Sequence, residues 1–553
     1  MPVQFPKKSM GILKNRSRLS ASTLTAYERC KNQWFSKYRM GLSSPIKPRM
    51  ILGSLVEDAL CGLMMERAGS SGSGLLRFAE FPDDESPSSK CETKDALFEW
   101  ISQKIPGVSK WVYAKGEASY DAVPWKEGSW SDVYLKDIET YITNGIMLMM
   151  DEVEKCHEMN PEPISFDIPA PCWESNPHFP VKDKLNQHLK WDITPRNSSL
   201  QSSWAQAWET ARPWVKDPRC FQPQRMYHPE DWAAGECDLV LRWDGRTRIV
   251  DIKLSDPSSK FAKSLPIQLN FYAWLWNQTH EEKCQGIEGW YLGSCEKVQP
   301  DMNQLSDDYY RNIYHEMISY PADNTFPSSS ECEASTGCSW CSFSNNFEMG
   351  FKPMPPCEPL ENIPHRVNVK GFVQGAWGPL PNHFGEPVLG SMIKSGKNMV
   401  TLEESRPEAF PKMHTYSNRQ VTIENALAGV WRGQPRLYLD EKSKITEAEN
   451  IELTRLGMLR TKANVEGIVI SCAFREGIRL DGRPWSMVQF HIWDGKHAAE
   501  CVGFGASINQ KTTSIRVGDH IRIVSADIGW RDSLLQLRID ARTTRIEIIP
   551  PKD

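Results

Sequence analysis

The chain has 553 residues, enough for about three domains at ~150 residues each. It is 40% hydrophobic and 24% charged, which is typical of a globular protein, and its formal net charge of −5 argues against a uniformly basic nucleic-acid-binding protein while leaving room for a local basic groove. We find no run of ~20 apolar residues that predicts a membrane span, and 15 scattered cysteines without a secretory signal favour a cytoplasmic location.

The N-terminal part of the chain predicts a basic arm followed by two helices. Residues 1–19 form the arm, which is either solvated or bound to nucleic-acid phosphates. The stretch "SASTLTAYERCKNQWFSKYRMGL" predicts a helix with Ser22 as its N-cap and Gly41 as its end. A second helix is predicted in "MILGSLVEDALCGLMMERA", and residues 70–205 predict a mostly helical insertion.

The stretch "GECDLVLRWDGRTRIVDIKLSD", residues 235–256, predicts a β-hairpin. Two short apolar runs flank Asp244-Gly245, a dipeptide that favours a tight two-residue turn. Charged side chains interrupt both runs, although the residues around them are apolar, as in buried strands. The interruption calls for a chemical reason.

Two carboxylates and one amine supply that reason. Asp238 is predicted in the first strand, whereas Asp251 and Lys253 share one face of the second, because alternate strand residues point the same way. Carboxylates bind Mg²⁺ or Mn²⁺, which activate water for phosphodiester hydrolysis. Lys253 would then reach the same water or the scissile phosphate, and the carbonyl of Ile252 is a further candidate ligand. A surface salt bridge between Asp251 and Lys253 is the alternative.

This pattern resembles the PD-(D/E)XK nuclease superfamily, specifically its RecB-like branch with an iron–sulfur cluster. Other segments match that family in the expected order. They are the first helix with Cys30, "GSLVEDAL" with Glu57, "GECDLVL" with Asp238, and "QLNFYAWLW" with Gln268 and Tyr272. The resemblance implies that Gln268 and Tyr272, one helical turn apart, face DNA or the catalytic lysine. It covers roughly residues 19–345, interrupted by the insertion.

The resemblance also implies the metal ligands. Asp238, Asp251 and Glu57 would bind one or two Mg²⁺ or Mn²⁺ ions, and Lys253 would orient the attacking water and stabilise the charged transition state. Many relatives have His where this chain has Glu57, and Glu is a good ligand for hard cations. Asp58 is adjacent, but the spacing from the preceding glycine favours Glu57. The long gap before Asp238 implies a large insertion, either a lid or a strand-guiding element.

A cysteine cluster, "CEASTGCSWC", occupies residues 332–341. Thiolates at this spacing suggest zinc or an iron–sulfur cluster. The resemblance implies a [4Fe–4S] cluster held by Cys338 and Cys341 together with the distant Cys30. Its role would be to join the N-terminal helix to the end of the nuclease domain. Zinc in a four-cysteine site, and unligated cysteines, are the alternatives.

The fourth cluster ligand is not settled by the pattern. The family usually has its last cysteine where this chain has Phe347. The ligand must then be Cys332 or Cys357, and Cys332 is preferred because the connecting segment is shorter.

The pattern changes after a Pro-rich linker at 351–365. Residues 366–450 and 460–553 consist of strand-sized runs and turns, which predict small all-β barrels or sandwiches. Both segments resemble OB-folds of the replication protein A type, in part through Gly518-Asp519 before a strand. OB-folds bind single strands by stacking bases on aromatics in a positive groove. The candidate stacking and phosphate-binding residues are Trp431, Arg432, Arg436, Trp530 and Arg531. Packing in the core or at the surface is the alternative for each aromatic.

The predicted fold is therefore an α/β restriction-endonuclease-like nuclease core, residues 20–350, with a helical insertion at about 70–205, followed by two all-β OB-fold-like barrels. The predicted function is a metal-dependent DNA nuclease, an exonuclease on single strands or flaps in DNA repair or recombination. The expected partners are single-stranded DNA and, through the OB-like units, other repair or replication proteins, with no membrane partner. The alternatives are a non-catalytic single-strand-binding scaffold with a relict nuclease domain, and an RNA-processing nuclease.

Overall fold

The computed structural model describes residues 18–42, 44–64, 66, 68–69, 91–123, 125–161, 203–215, 225–230, 232–258, 262–303, 306–320, 352–363, 366–381, 387–405, 416–431, 433–446, 451–478, 484–532 and 534–550. They form two compact units, the first within Ser17–Thr25 and Ile46–His315, the second within Ala26–Pro45 and Glu316–Asp553. No helix in the described part of the chain is both long and apolar enough to span a membrane.

The helices are short at the N-terminus and longer in the first unit. They are α1 (Ala21–Arg29), α2 (Lys31–Trp34), α3 (Pro48–Met64), α4 (Lys94–Ser102), α5 (Ile105–Asp121), α6 (Leu135–Met159), α7 (Trp204–Ala211), α8 (Leu265–Thr279), α9 (Asp307–Ser319) and α10 (Gln510–Ser514). A π-helical turn, Phe35–Arg39, follows α2 directly. Helices α4, α5 and α6 lie within the described part of the predicted insertion, and α7 begins at its end.

The predicted first helix is broken at Cys30, and its N-cap differs from the prediction. Ser20, not Ser22, caps α1: the Thr23 backbone N–H donates to Ser20 Oγ at 3.3 Å, and the Ser20 N–H donates to Thr23 Oγ1 at 2.8 Å. Cys30 has extended backbone angles, φ −164° and ψ 110°, and ends α1. Gly41 has a φ of +79°, which ends the helical region as predicted.

The first unit contains a five-stranded sheet in the order β1-β4-β5-β6-β7. Its strands are β1 (Trp214–Val215), β4 (Leu239–Leu241), β5 (Thr247–Lys253), β6 (Cys284–Tyr291) and β7 (Glu296–Val298), and a separate pair joins β2 (Arg225–Tyr227) to β3 (Ala234–Glu236). β5 and β6 are parallel and α8 connects them, whereas the other neighbours are antiparallel. This βαβ unit fits the predicted α/β class.

The hairpin differs from the prediction in two details. Asp238 lies immediately before β4 rather than inside a strand, and the connection between β4 and β5 is longer than two residues. The turn is widened because Asp244 accepts hydrogen bonds from the backbone and guanidinium of Arg246. Gly245 has a φ of +77°, the conformation for which the turn requires glycine.

The insertion is not a separate lid in the described residues. Side chains of α4, α5, α6 and α7 share one hydrophobic core with α3 and with one face of the sheet. Tight helix contacts reflect this: a Cβ at Gly145 of α6 would lie 2.6 Å from Leu60 of α3. The insertion therefore supports the sheet that carries the candidate site.

The second unit contains two closed β-barrels. The strands of the first barrel are β8 (Arg366–Pro381), β9 (Pro387–Ser395), β10 (Asn398–Ser405), β11 (Gln420–Trp431) and β12 (Gln434–Leu439), with β13 (Lys444–Thr446) added beside β11. β8 pairs with β9 and β11, β10 pairs in parallel with β12, and β12 closes on β11. Closure of five strands in this order is the topology of the predicted OB-fold.

The second barrel repeats these pairings. Its strands are β14 (Lys462–Ile478), β15 (Pro484–Trp493), β16 (Ala498–Phe504), β17 (His520–Arg531) and β18 (Leu534–Ile539), with β19 (Arg545–Ile549) added beside β17. β14 pairs with β15 and β17, and β16 pairs in parallel with β18. The Pro-rich segment that precedes the first barrel is bound to this second barrel, since the Glu358 N–H donates to the Asn464 carbonyl at 3.1 Å and the Leu360 N–H to Asp494 Oδ2 at 2.7 Å.

Candidate active site and nucleic-acid-binding surface

The β5 strand presents an acid and a base on the same face. Asp251 is 5% exposed, and the Lys253 ammonium lies 2.5 Å from its Oδ2. Burial alone would lower the pKa of Lys253, but attraction by Asp251 and Asp238 outweighs it and raises that pKa. Lys253 is therefore held as a cation at the end of the strand.

A second carboxylate comes from the residue before β4. Asp238 Oδ2 accepts a hydrogen bond from the Ile252 N–H at 2.7 Å, so Asp238 is fixed against the strand that carries Asp251. Burial raises the pKa of Asp238 well above its usual value, and repulsion by Glu57 and Asp251 raises it further. Lys253 and the Ile252 N–H offset this only in part.

Glu57 reaches the same place from helix α3. The Arg49 guanidinium donates to the Leu254 carbonyl at 3.2 Å, and the Cβ position at Gly53 lies 3.9 Å from the Leu254 side chain. Glu57 is one helical turn beyond Gly53 on the same face of the helix. The structure thus brings Glu57 close to Asp238 and Asp251, which lie more than 180 residues further along the sequence.

Helix α8 adds two more predicted residues. Lys253 Nζ donates a hydrogen bond to Gln268 Oε1 at 3.1 Å. Burial, with repulsion by Asp251 and Asp238, raises the pKa of Tyr272 well above its usual value, so this phenol keeps its proton beside the carboxylates. Gln268 and Tyr272 lie one turn apart, and both face the carboxylates of the sheet.

The donor set fits a hard divalent cation. In the part of the chain that the structure describes, no three His, Cys, Asp or Glu side chains are arranged as a ready metal site. Glu57 and Asp251 nevertheless repel the Asp238 carboxylate, and Asp251, which is buried, makes no hydrogen bond of regular geometry through Oδ2. A cation with oxygen ligands, such as Mg²⁺ or Mn²⁺, would relieve that repulsion. Ligation by these residues and by the Ile252 carbonyl stays a prediction.

A family comparison agrees with this arrangement. Residues 200–345 match the model of the PD-(D/E)XK nuclease superfamily. The matched range contains Asp238, Asp251, Lys253 and the α8 residues, but neither Glu57 nor Cys30. The match covers about a quarter of the chain and supports a nuclease. Nucleases of this superfamily usually use Mg²⁺ or Mn²⁺. Among curated proteins, none matches the chain.

Solved structures resemble the chain only weakly. A replication protein A heterotrimer bound to ssDNA is 12% identical over 35% of this chain and 52% of that one, with a TM-score of 0.15. The Ifi202 HINa domain in complex with 20bp dsDNA is 12% identical over 34% of this chain and 97% of that one, with a TM-score of 0.13. The OB domain of Ta0387 from Thermoplasma acidophilum is 22% identical over 18% of this chain and 84% of that one, with a TM-score of 0.14. The barrel assignment therefore rests on the strand pairings.

Only part of the predicted cysteine site is described. Cys332, Cys338 and Cys341 lie outside the described residues. Cys30 is half-buried, and its Sγ accepts the Gln33 N–H at 3.5 Å at the start of α2. Cys357 is buried, and burial, with the negative charge of Glu466 nearby, raises its pKa to about 11.

Two of the predicted base-stacking and phosphate-binding residues are used inside the second unit. Trp530 is 8% exposed, and its indole N–H donates to the Ala428 carbonyl of the first barrel at 2.9 Å. Arg531 forms an ion pair with Glu500 and donates to the backbone carbonyls of Arg39 and Met40. Both side chains are thus engaged in contacts within the second unit, and base stacking or phosphate binding by them stays a prediction.

The remaining predicted pair is also engaged. The Arg538 guanidinium lies 4.7 Å from the centre of the Trp431 ring, and Arg436 lies 2.5 Å from Glu403. Trp431 is half-buried beside the second barrel. Arg432 lies outside the described residues. Among the described residues, Arg436 thus pairs with Glu403, and the Trp431 ring lies against Arg538.

The structure shows a different exposed row on the first barrel. Phe372 of β8, 40% exposed, is paired with Lys394 of β9, which in turn is paired with Met399 of β10, 53% exposed. Trp377, 43% exposed, follows further along β8. The alternation in "VNVKGFVQGAW" carried this signal, because Val369, Gly371 and Val373 point inward and the residues between them point outward.

Proposed function

We propose that this protein is a metal-dependent DNA nuclease, an exonuclease that acts on single strands or flaps in DNA repair or recombination. The observation that carries the proposal is the convergence of Glu57, Asp238 and Asp251 around a lysine, in a chain whose residues 200–345 match the PD-(D/E)XK model. Acids held close together against their own repulsion are characteristic of functional sites.

The carboxylates and the lysine have separate roles in the proposed reaction. Glu57, Asp238 and Asp251 would hold Mg²⁺ or Mn²⁺, which supplies an activated water and neutralises phosphate charge. Lys253, held by Asp251 and Gln268, orients the water and stabilises the charge that develops on the phosphate.

Tyr272 acts as a neutral hydrogen-bond donor in this proposal. Its raised pKa keeps the hydroxyl protonated next to the acidic residues, so it approaches a phosphate or base without adding a negative charge. Gln268 has its oxygen occupied by Lys253, which leaves its amide N–H groups to contact substrate.

Digestion of end-labelled substrates tests the proposal. Single-stranded DNA, double-stranded DNA, flap DNA and RNA are incubated with Mg²⁺ or Mn²⁺, and we expect metal-dependent cleavage of single-stranded and flap DNA. Single-nucleotide products from one end indicate exonuclease action. Cleavage of RNA alone would favour an RNA-processing nuclease, and no cleavage with any metal would favour a binding scaffold.

We assign single-strand binding to the exposed row of the first barrel. An aromatic beside lysine is the usual platform for a base and its phosphate. Phe372→Ala should weaken binding of labelled oligo-dT by ~1–3 kcal/mol, and Lys394→Ala should also lower the dependence of binding on salt. Fluorescence anisotropy at several salt concentrations measures both.

The second barrel provides matched controls for that experiment. Phe504 is 47% exposed on β16, and Lys511 is exposed on α10. Phe504→Ala and Lys511→Ala should leave oligo-dT affinity unchanged. Equal losses in the controls and in the first-barrel variants would contradict the assignment.

We also propose that Cys30, Cys338, Cys341 and Cys332 hold a [4Fe–4S] cluster. Cys332 is preferred to Cys357 as the fourth ligand because the segment that joins it to Cys338 is shorter. Protein purified without oxygen should be brown and contain iron and sulfide, and Cys338→Ser and Cys332→Ser should each remove the colour. Cys357→Ser is the control and should stay brown. Stoichiometric zinc without iron would overturn the assignment.

A further inference from the structure

The outer face of strands β15 and β16 in the second barrel is polar but buried. Gln489, His491 and Glu500 are 2%, 1% and 4% exposed. They alternate with residues such as Phe490 and Ile492, which are fully buried in the barrel interior. Polar groups on the outside of a barrel are normally solvated, so a segment of protein must cover this face.

The cover is a segment of the same chain, Phe35–Leu42. His491 Nε2 donates a hydrogen bond to the Met40 carbonyl at 2.8 Å, since a carbonyl can only accept. Arg531 donates to the same carbonyl at 2.8 Å and to the Arg39 carbonyl at 3.2 Å. Arg39 in turn donates to the Asp532 carbonyl at 3.0 Å.

The contacts complete the end of a helix. The last carbonyls of a helical segment have no partner within the helix and carry partial negative charge. Arg39 is the last residue of the π-helical turn and Met40 is its C-cap, and Gly41 stops the chain from continuing the helix. The Arg531 guanidinium and the His491 imidazole N–H supply the missing donors. Barrel and segment are therefore complementary in both hydrogen bonding and charge.

The same face is unsuited to a nucleic acid. In five-stranded barrels of this kind, the second and third strands form the face that binds oligonucleotides, and β15 and β16 hold those positions. Here the centre of the face is the carboxylate of Glu500, which is bound by Arg531, Gln489 and, at 2.6 Å, Gln536. A phosphate at this face would be repelled by the Glu500 carboxylate. The Arg531 guanidinium, which could attract it, already pairs with Glu500.

We propose that the β15–β16 face of the second barrel is a docking site for the chain's own Phe35–Leu42 segment and does not bind single-stranded nucleic acid. The second barrel thereby anchors the region that follows Cys30, and strand binding is left to the first barrel. The proposal rests on contacts within the second unit and does not depend on nuclease activity.

Hydrogen exchange of the full-length protein, with and without saturating oligo-dT, tests the proposal. We expect the amides of residues 35–42 and of β15–β16 to exchange equally in both states, whereas β8–β10 of the first barrel become protected. Faster exchange of residues 35–42 with oligo-dT would show that the strand displaces the segment and would overturn the proposal. Protection of β15–β16 by oligo-dT would overturn it as well.

A variant provides an independent measurement. His491→Ala should increase exchange of the Met40 and Leu42 amides by about tenfold or more, because the segment opens more often, while oligo-dT affinity stays unchanged. His520, on β17 of the same barrel, pairs with Glu466 and not with the segment. The control variant His520→Ala should therefore not affect exchange of those amides. Loss of oligo-dT affinity in His491→Ala, with unchanged exchange at residues 35–42, would contradict the docking role.

Discussion

We expect Asp251→Ala to abolish the proposed cleavage of single-stranded DNA while leaving DNA binding nearly intact. Asp251 is both a proposed metal ligand and the partner of the Lys253 ammonium at 2.5 Å. Stabilisation by a bound metal contributes several kcal/mol in the transition state, so we expect a loss of roughly 10³-fold or more in the rate of cleavage. The measurement is the single-turnover rate on end-labelled DNA in saturating Mg²⁺ or Mn²⁺, alongside oligo-dT affinity.

Two further variants make that result interpretable. Asp251→Asn keeps the size of the side chain and should lose activity to a similar degree, which excludes a packing defect. Asp121→Ala removes an acid whose side chain is 71% exposed at the end of α5 and should keep full activity. A wild-type cleavage rate in Asp251→Ala would contradict the nuclease proposal.

Glu152→Ala should strongly destabilise the first unit. Glu152 of α6 is 1% exposed and lies on the opposite side of the sheet from Asp251. Its carboxylate accepts hydrogen bonds from Arg248 of β5 at 2.6 Å, Lys297 of β7 at 2.6 Å and the Trp243 indole at 3.0 Å. Arg248 would keep its ion pair with Glu288, and Lys297 its ion pair with Asp151. Losing one buried charge partner should therefore cost roughly 3 kcal/mol, the lower end for a broken buried ion pair. Native-state hydrogen exchange of the β5 amides measures this loss.

Glu154→Ala is the matched control for this prediction. Glu154 lies on the same helix and pairs with Lys94 at 2.7 Å, but its side chain is 40% exposed. Exposed ion pairs contribute about 0–1 kcal/mol, so the control should behave like the wild type. If both variants lose the same stability, the buried network is not what joins the insertion to the sheet.

The effect of Glu152 should also depend on pH. Burial would raise the pKa of Glu152, but the hydrogen bond from Arg248 and the charge of Lys297 outweigh it and lower the pKa from 4.5 to about 2. A carboxylate with a lowered pKa stabilises the folded state above its unfolded pKa. The difference between the wild type and Glu152→Ala should therefore be complete above pH 4.5 and shrink as the pH falls toward 2.

The sequence by itself determined the features that depend on short spacing. Asp251 and Lys253 share a face because a strand repeats every two residues, and Gln268 and Tyr272 share a face because a helix repeats every 3.6. The strand alternation of the C-terminal part likewise indicated small closed barrels, and the pairings of β8–β12 agree with that expectation. Local periodicity is carried by the backbone geometry, so neighbouring residues are enough to read it.

Only the tertiary structure decided which groups meet across long stretches of chain. It placed Glu57 beside Asp238, joined the insertion to the sheet through Glu152, and turned Trp530 inward against Ala428. A tryptophan beside an arginine has the same local pattern whether the pair faces solvent or another barrel. Its role depends on the burial and hydrogen-bond partners that distant segments supply, and no spacing within the sequence encodes them.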